Sequence, residues 1–164
     1  MLGRKSPSRI LELFLERPSA ELQMKGIAKM TGLAKLSVLK WTRELERNDI
    51  LSRKVSGRTG LYTLSSSPSV RFLRIFYNVD YVSNRISAAD GQIFLYGSFA
   101  RGDNTEKSDI DLLVIGKDRN IIKKLKSADD RIKVSFFTPL EWSMAARKDK
   151  ALFDSVEKDK IRMK

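Results

Sequence analysis

Asp109 and Asp111 stand two positions apart in "SDIDLLVIG", a segment whose other residues are mostly apolar. Residues two apart on a strand point to the same face, so both carboxylates project together while Ile110, Leu112 and Val114 face the other way. Two carboxylates side by side repel unless a proton or a cation comes between them. A divalent ion bridging them to phosphate oxygens removes that cost and supplies Lewis-acid chemistry. Upstream, Gly97-Ser98 closes the apolar run "QIFLY". A glycine lets a ligand approach the backbone closely, and Ser98 can donate its hydroxyl to phosphate. Arg101 and Lys107 can add positive charge to the same site.

These side chains need elements to hold them. "QIFLYG" reads as a buried strand, and "SFARG" as a short helix that Ser98 can cap, turning backbone N–H groups toward a triphosphate. The embedded "RGD" (Arg101 to Asp103) is then only the end of that helix. "SDIDLLVIG" is a second strand, "RNIIKKLKS" a helix and "RIKVSFFTP" a third strand. Thr138-Pro139-Leu140-Glu141 is a capping box with proline at the first helical position. The C-terminal stretch reads as helices packed by Leu140, Met144, Leu152, Phe153 and Val156, with Trp142 in packing.

Composition narrows the chemistry. The chain of 164 residues has no Cys and no His, which excludes disulfides, thiolate and imidazole catalysis and His/Cys zinc sites. Any metal is a hard, oxygen-liganded ion such as Mg²⁺ or Mn²⁺. A net charge of +12 and a pI near 10.0 favour a polyanionic partner. No apolar run reaches the roughly 20 residues of a membrane span, and the basic start "MLGRKSPSRI" has no apolar stretch behind it, so a cytoplasmic location is expected.

An apolar strand, Gly97-Ser98, a spacer, Asp109-x-Asp111 and a following apolar strand together resemble the DNA polymerase β-like nucleotidyltransferase superfamily. "GSFARGDNTEKSDIDLLV" is most similar to its small prokaryotic members, the minimal nucleotidyltransferases. The resemblance implies a mixed sheet with helices on one side, two Mg²⁺ ions, and transfer of a nucleoside monophosphate from a nucleoside triphosphate to a hydroxyl with loss of pyrophosphate. It implies that Gly97 and Ser98 hold phosphates and that Asp109 and Asp111 are the catalytic and metal-binding residues. It also implies a third carboxylate on a later strand, which activates the attacking hydroxyl. In this chain the matching register places Ser135 there, and a serine cannot replace a carboxylate as metal ligand and base. Asp129, Asp130 and Glu141 are the neighbouring acids, and each needs a different geometry to substitute. Transfer stays open, and so does the alternative of a catalytically impaired DNA-binding transcriptional regulator whose second domain senses nucleotide or docks a protein.

Residues 1–67 carry 13 Lys/Arg and 6 Asp/Glu. "SRILELFLER" places Ile10, Leu13, Phe14 and Arg17 at helical spacing before Pro18; "KGIAKMTGL" is a second helix ending at Gly32; "AKLSVLKWTRELERNDI" is a third. "ILSRKV" and "LYTLS" flank "SGRTG" as a hairpin. This order resembles a winged helix-turn-helix domain, in which the second motif helix enters the major groove and the wing touches the backbone. The resemblance implies Lys35, Ser37, Lys40 and Trp41 nearest the bases, and Arg43, Arg53, Lys54 and Arg58 nearest phosphates of double-stranded DNA. Ala34 and Asn48-Asp49 depart from the usual caps. A protein-docking module is the competing reading.

The expected fold class is α+β: a winged helix-turn-helix over 1–67, a linking helix over 68–90 starting after "SSSPS", and a nucleotidyltransferase-type mixed sheet with flanking helices over 91–164. The linking helix should turn Val70, Leu73, Ile75/Phe76 and Val79/Val82 inward, with Phe72, Phe76, Tyr77 and Tyr81 in core or dimer packing. Expected partners are a nucleoside triphosphate, DNA, a protein acceptor and a second copy of the chain, with no membrane.

Overall fold

The computed structural model describes residues 6–56, 59–86 and 91–164. Its contacts divide the chain into two compact units, residues 1–74 and 75–164, which meet within one helix.

The first unit holds α1 (Ser6–Glu16), β1 (Leu22–Gln23), α2 (Met24–Thr31), α3 (Lys35–Arg47), β2 (Leu51–Ser56) and β3 (Thr59–Leu64). Ile10, Leu13 and Phe14 of α1, Ile27 of α2 and Val38 and Leu45 of α3 close one core with Leu51 and Tyr62. Gly32 ends α2 in the left-handed conformation at φ 69°, donating its N–H to the Ala28 carbonyl. Ala34 caps α3 without a side-chain hydrogen bond; Asn48 ends it, and Asp49 takes a positive φ of 53°. β2 and β3 pair antiparallel, and the two residues of β1 add to β3, giving the order β1-β3-β2. β1 is not foreseen in the sequence.

α4 (Pro68–Ile86) begins at the proline and spans the junction of the units. Val70 and Val82 are buried as expected. Phe76 is not: it and Phe72 are 68% and 71% exposed. The helix instead turns inward along Asn78, Val82 and Ile86, so the inward stripe lies beside Phe76.

The second unit continues with β4 (Gln92–Tyr96), α5 (Gly97–Arg101), β5 (Ile110–Ile115), α6 (Asn120–Ala128), β6 (Ile132–Phe137), α7 (Pro139–Lys148), α8 (Lys150–Asp159) and β7 (Ile161–Arg162). The sheet order is β6-β5-β4-β7: β5 runs parallel to β6 and antiparallel to β4, which also pairs antiparallel with β7. The helix α6 makes the crossover that a parallel pair requires. On one face Ile93, Leu95, Ile110, Leu112, Val114 and Ile132 pack with Val82 and Ile86 of α4, Phe99 and Ala100 of α5, and Ile121 and Leu125 of α6. The other face carries a smaller core of Tyr96, Leu113 and Val156, joined by Phe94, Ile115, Phe137, Trp142 and Leu152. Helices therefore lie on both sides of the sheet, not on one, because α7 and α8 fold back over the second face. Leu140 is 69% exposed rather than packed, and β7 closes the sheet where only helices were expected. Among the described residues no helix is long and apolar enough to cross a membrane.

Candidate active site

Strand alternation decides which side chains share the second face. Asp111 faces Tyr96 across β4 and Lys133 across β6, and Leu113 faces Ser135. Asp109 precedes β5 by one residue, so it shares this face with Asp111, Tyr96, Lys133 and Ser135. The Asp111 carboxyl is held above its ordinary value, first by burial, then by the charge of Asp109; Asp159 adds to the rise while Arg101 and Lys133 oppose it. Lys133 reaches Asp109 Oδ1 at 3.9 Å, a contact between half-exposed groups that contributes little.

Gly97 enters at φ 73°, where L side chains are strained. A Cβ there would stand 2.6 Å from Asp111 Oδ2, so only glycine lets β4 turn into α5 against that carboxylate. The helix starts at Gly97 with Tyr96 as its cap residue and no side-chain cap. Ser98 therefore lies inside the first turn and does not cap it, contrary to expectation. The buried pair Asn78–Asn104 fixes the loop beyond α5: Asn78 Nδ2 donates to Phe99 O at 2.9 Å and to Asn104 Oδ1 at 2.8 Å. That ties α4 to the loop carrying Lys107, which is exposed.

Arg101 donates from Nε to Asp103 Oδ2 at 3.0 Å and from Nη1 to Asp159 Oδ2 at 2.7 Å. Asp159, at the end of α8, also accepts from the Gly97 N–H at 3.3 Å. It is a site residue that the sequence reading missed, as are Tyr96 and Lys133.

Ser135 Oγ lies 3.1 Å from the Tyr96 hydroxyl, a hydrogen bond that bridges β4 and β6 across β5. Burial holds that phenol above its ordinary value, with Asp111 adding to the rise and the Ser135 bond opposing it. The neighbouring acids have other work. Asp129 accepts from Tyr81 Oη at 2.7 Å and from Arg131 Nη2 at 3.0 Å, which puts it with α4 on the opposite face. Glu141 accepts from Thr138 N at 2.7 Å, completing the capping box. Asp130 is exposed ahead of β6.

The family model of the nucleotidyltransferase domain matches residues 79–161, half of the chain. This chain belongs to the nucleotidyltransferase domain family. The match begins inside α4 and ends in β7, so the family's unit includes Asp159 together with Asp109 and Asp111. No curated protein matches the chain. A solved structure of TrmBL2, an archaeal chromatin protein described as showing a novel mode of DNA binding, is 14% identical over 92% of this chain and 78% of that one, with a TM-score of 0.29. A likeness that slight carries no argument.

In the first unit, Lys35, Lys40 and Arg43 of α3 and Arg53 and Lys54 of β2 are exposed, and Ser37 is partly so. Trp41 packs partly against the core while Lys40 Nζ lies 4.7 Å from its ring centre. A side chain at Gly60 would collide with Arg53, so that glycine gives Arg53 room across β3. Arg58 lies outside the described residues.

Proposed function

We propose that the chain is a DNA-associated nucleotidyltransferase that binds a nucleoside triphosphate with Mg²⁺ or Mn²⁺ and transfers nucleoside monophosphate slowly. The observation that carries this reading is one sheet face holding Asp109 and Asp111 with the Ser135 hydroxyl in the third acid's register. The raised carboxyl of Asp111 fits a cation: its charged form is disfavoured by burial and by Asp109, and both penalties fall when a divalent ion shares the pair. Among the described residues no three His, Cys, Asp or Glu side chains are grouped to hold an ion by themselves. The donor set therefore suits an ion completed by phosphate oxygens, with Asp109 and Asp111 as its protein ligands. When bound, the ion supplies charge neutralisation and polarisation of the phosphoryl group.

The chain's own groups then divide the work. The Gly97 N–H, the Ser98 hydroxyl and the guanidinium of Arg101 take the phosphates, and Lys107 adds positive charge. Tyr96, kept neutral by burial, cannot take a proton from an attacking hydroxyl, and Ser135 offers only a hydroxyl in return. The missing base is worth roughly 10²–10⁴ in rate, so the nucleotide is held longer than it is used.

In the first unit, the helices and hairpin serve as a winged helix-turn-helix, with Lys35, Ser37 and Lys40 on α3 toward base edges. Arg43, Arg53 and Lys54 serve the phosphates, a role the sequence alone assigns to Arg58, and Trp41 supports Lys40. The test is Mg²⁺-dependent retention of α-labelled ATP and its slow transfer to hydroxyl acceptors. Both are expected to vanish in the double variant Asp109→Ala with Asp111→Ala. Equal retention and transfer by wild type and double variant would overturn the reading.

A further inference from the structure

Asp159, at the end of α8, is a carboxylate at this site that no motif accounts for. Its side chain is 11% exposed, with Oδ1 on the Gly97 N–H and Oδ2 on Arg101 Nη1. Those are two of the donors proposed to bind phosphate. A carboxylate and a phosphate oxygen ask the same of an N–H and a guanidinium: short, charge-assisted hydrogen bonds. Arg101 is gripped on two sides, since Asp103 accepts from Nε while Asp159 takes Nη1. A triphosphate approaching Gly97 meets an anion already seated there, next to the negative charge of Asp111.

The end of α8 is anchored where it stands. Val156 is fully buried against Tyr96 and Leu113, the Lys160 N–H bonds to the Val156 carbonyl, and Ile161 pairs with Leu95 one residue later. Asp159 thus reaches Gly97 as a consequence of the fold, with no ligand needed to bring it.

We propose that Asp159 is an internal competitor for the nucleotide phosphates, through which α8 keeps the Gly97–Arg101 position filled until a metal-bound triphosphate displaces it. This rests on the proposed binding of nucleotide at the same site. The other possible role, holding Arg101 in place for phosphate, predicts the opposite sign on removing the charge.

The experiment is calorimetric titration of Mg²⁺ with ATP, and of Mg²⁺ with inorganic triphosphate, into wild type, Asp159→Asn and Asp159→Glu. Competition predicts that Asp159→Asn binds both probes about tenfold tighter, about 1.4 kcal/mol, and that Asp159→Glu, which keeps the charge, gains nothing. Equal or weaker binding by Asp159→Asn, with wild type binding, would overturn the competition and leave the nucleotide reading standing. Absence of binding by all three proteins would overturn both. Hydrogen exchange on wild type gives a readout that needs no variant: saturation with Mg²⁺ and ATP should speed exchange of the Lys160 and Met163 amides, which bond to Val156 and Ile93. Unchanged exchange at saturation counts against displacement.

Discussion

Two aspartates on opposite faces of the same sheet have opposite lives. Asp129 sits among cations: Arg131 bonds to it through Nε, Nη2 and its backbone N–H, Tyr81 donates to it, and Arg85 Nε lies 3.5 Å away. Burial alone would raise its carboxyl, but these donors outweigh it and hold the group far below its ordinary value. Asp111 also bears a burial cost but has acidic company, and its carboxyl rises. The first acid is satisfied by the fold and fastens α4 to the start of β6. The second is left in deficit, and a deficit of positive charge is what a metal-bound polyphosphate fills. Context, not residue type, separates the structural acid from the site acid.

The largest change that sharpens the contrast is Ser135→Asp. It places a third carboxylate on the Asp111 face, and transfer of label from α-labelled ATP should rise about 100-fold if the missing base limits turnover. No gain in rate, with nucleotide binding retained, would show that the deficit lies elsewhere.

Next is Asp129→Ala, which removes the carboxylate that Arg131, Arg85 and the Tyr81 hydroxyl share and should cost the second unit about 2–3 kcal/mol in denaturant unfolding. The lowered carboxyl sets the sign with pH. Its stabilisation is complete above the ordinary 3.8 and is lost as pH falls below that value toward the folded one. Wild type should therefore lose its advantage over Asp129→Ala in acid.

For the first unit, Arg43→Ala with Arg53→Ala should lower the salt dependence of duplex binding by about 2 in log–log slope while weakening all sequences alike. An unchanged slope would remove these residues from the phosphate contacts.

Smallest is Asp111→Asn. A carboxyl raised in the folded state favours the fold only at low pH; that contribution fades as pH climbs through the raised value, leaving a penalty at pH 7. The amide removes the penalty, so the second unit should melt higher without metal, by a few degrees at most.

The strands and helices that carry Asp109 and Asp111 were legible because alternation, Gly97, Pro68 and the Thr138 capping box are local signals. The same box set the register of β6 and put Ser135 on the Asp111 face, where the parallel pairing with Leu113 holds it. β1 and β7 were invisible: two residues give no period, and both strands exist only through pairing with a distant partner. Asp159 was missed for a similar reason. It lies 62 positions from Gly97, and nothing around it in "SVEKDKIR" distinguishes it from a solvated helix end. Phe76 misled as an inward residue because aromatic residues at helical spacing mark a stripe, while the buried Asn78, which bonds to Asn104, sets which stripe turns inward. That α7 and α8 lie on the second face was not legible, because their amphipathic pattern shows that they pack, not against which side.

The claim that Asp111 is short of positive charge is tested most directly by melting curves at pH 7, first with chelator and then with Mg²⁺ and ATP at about 100 times the dissociation constant. Ligand binding at that level should add about 2.7 kcal/mol to the wild-type second unit, a rise of several degrees. Asp111→Asn should start higher and fail to respond. An equal rise in both proteins, or none in wild type, would contradict the account.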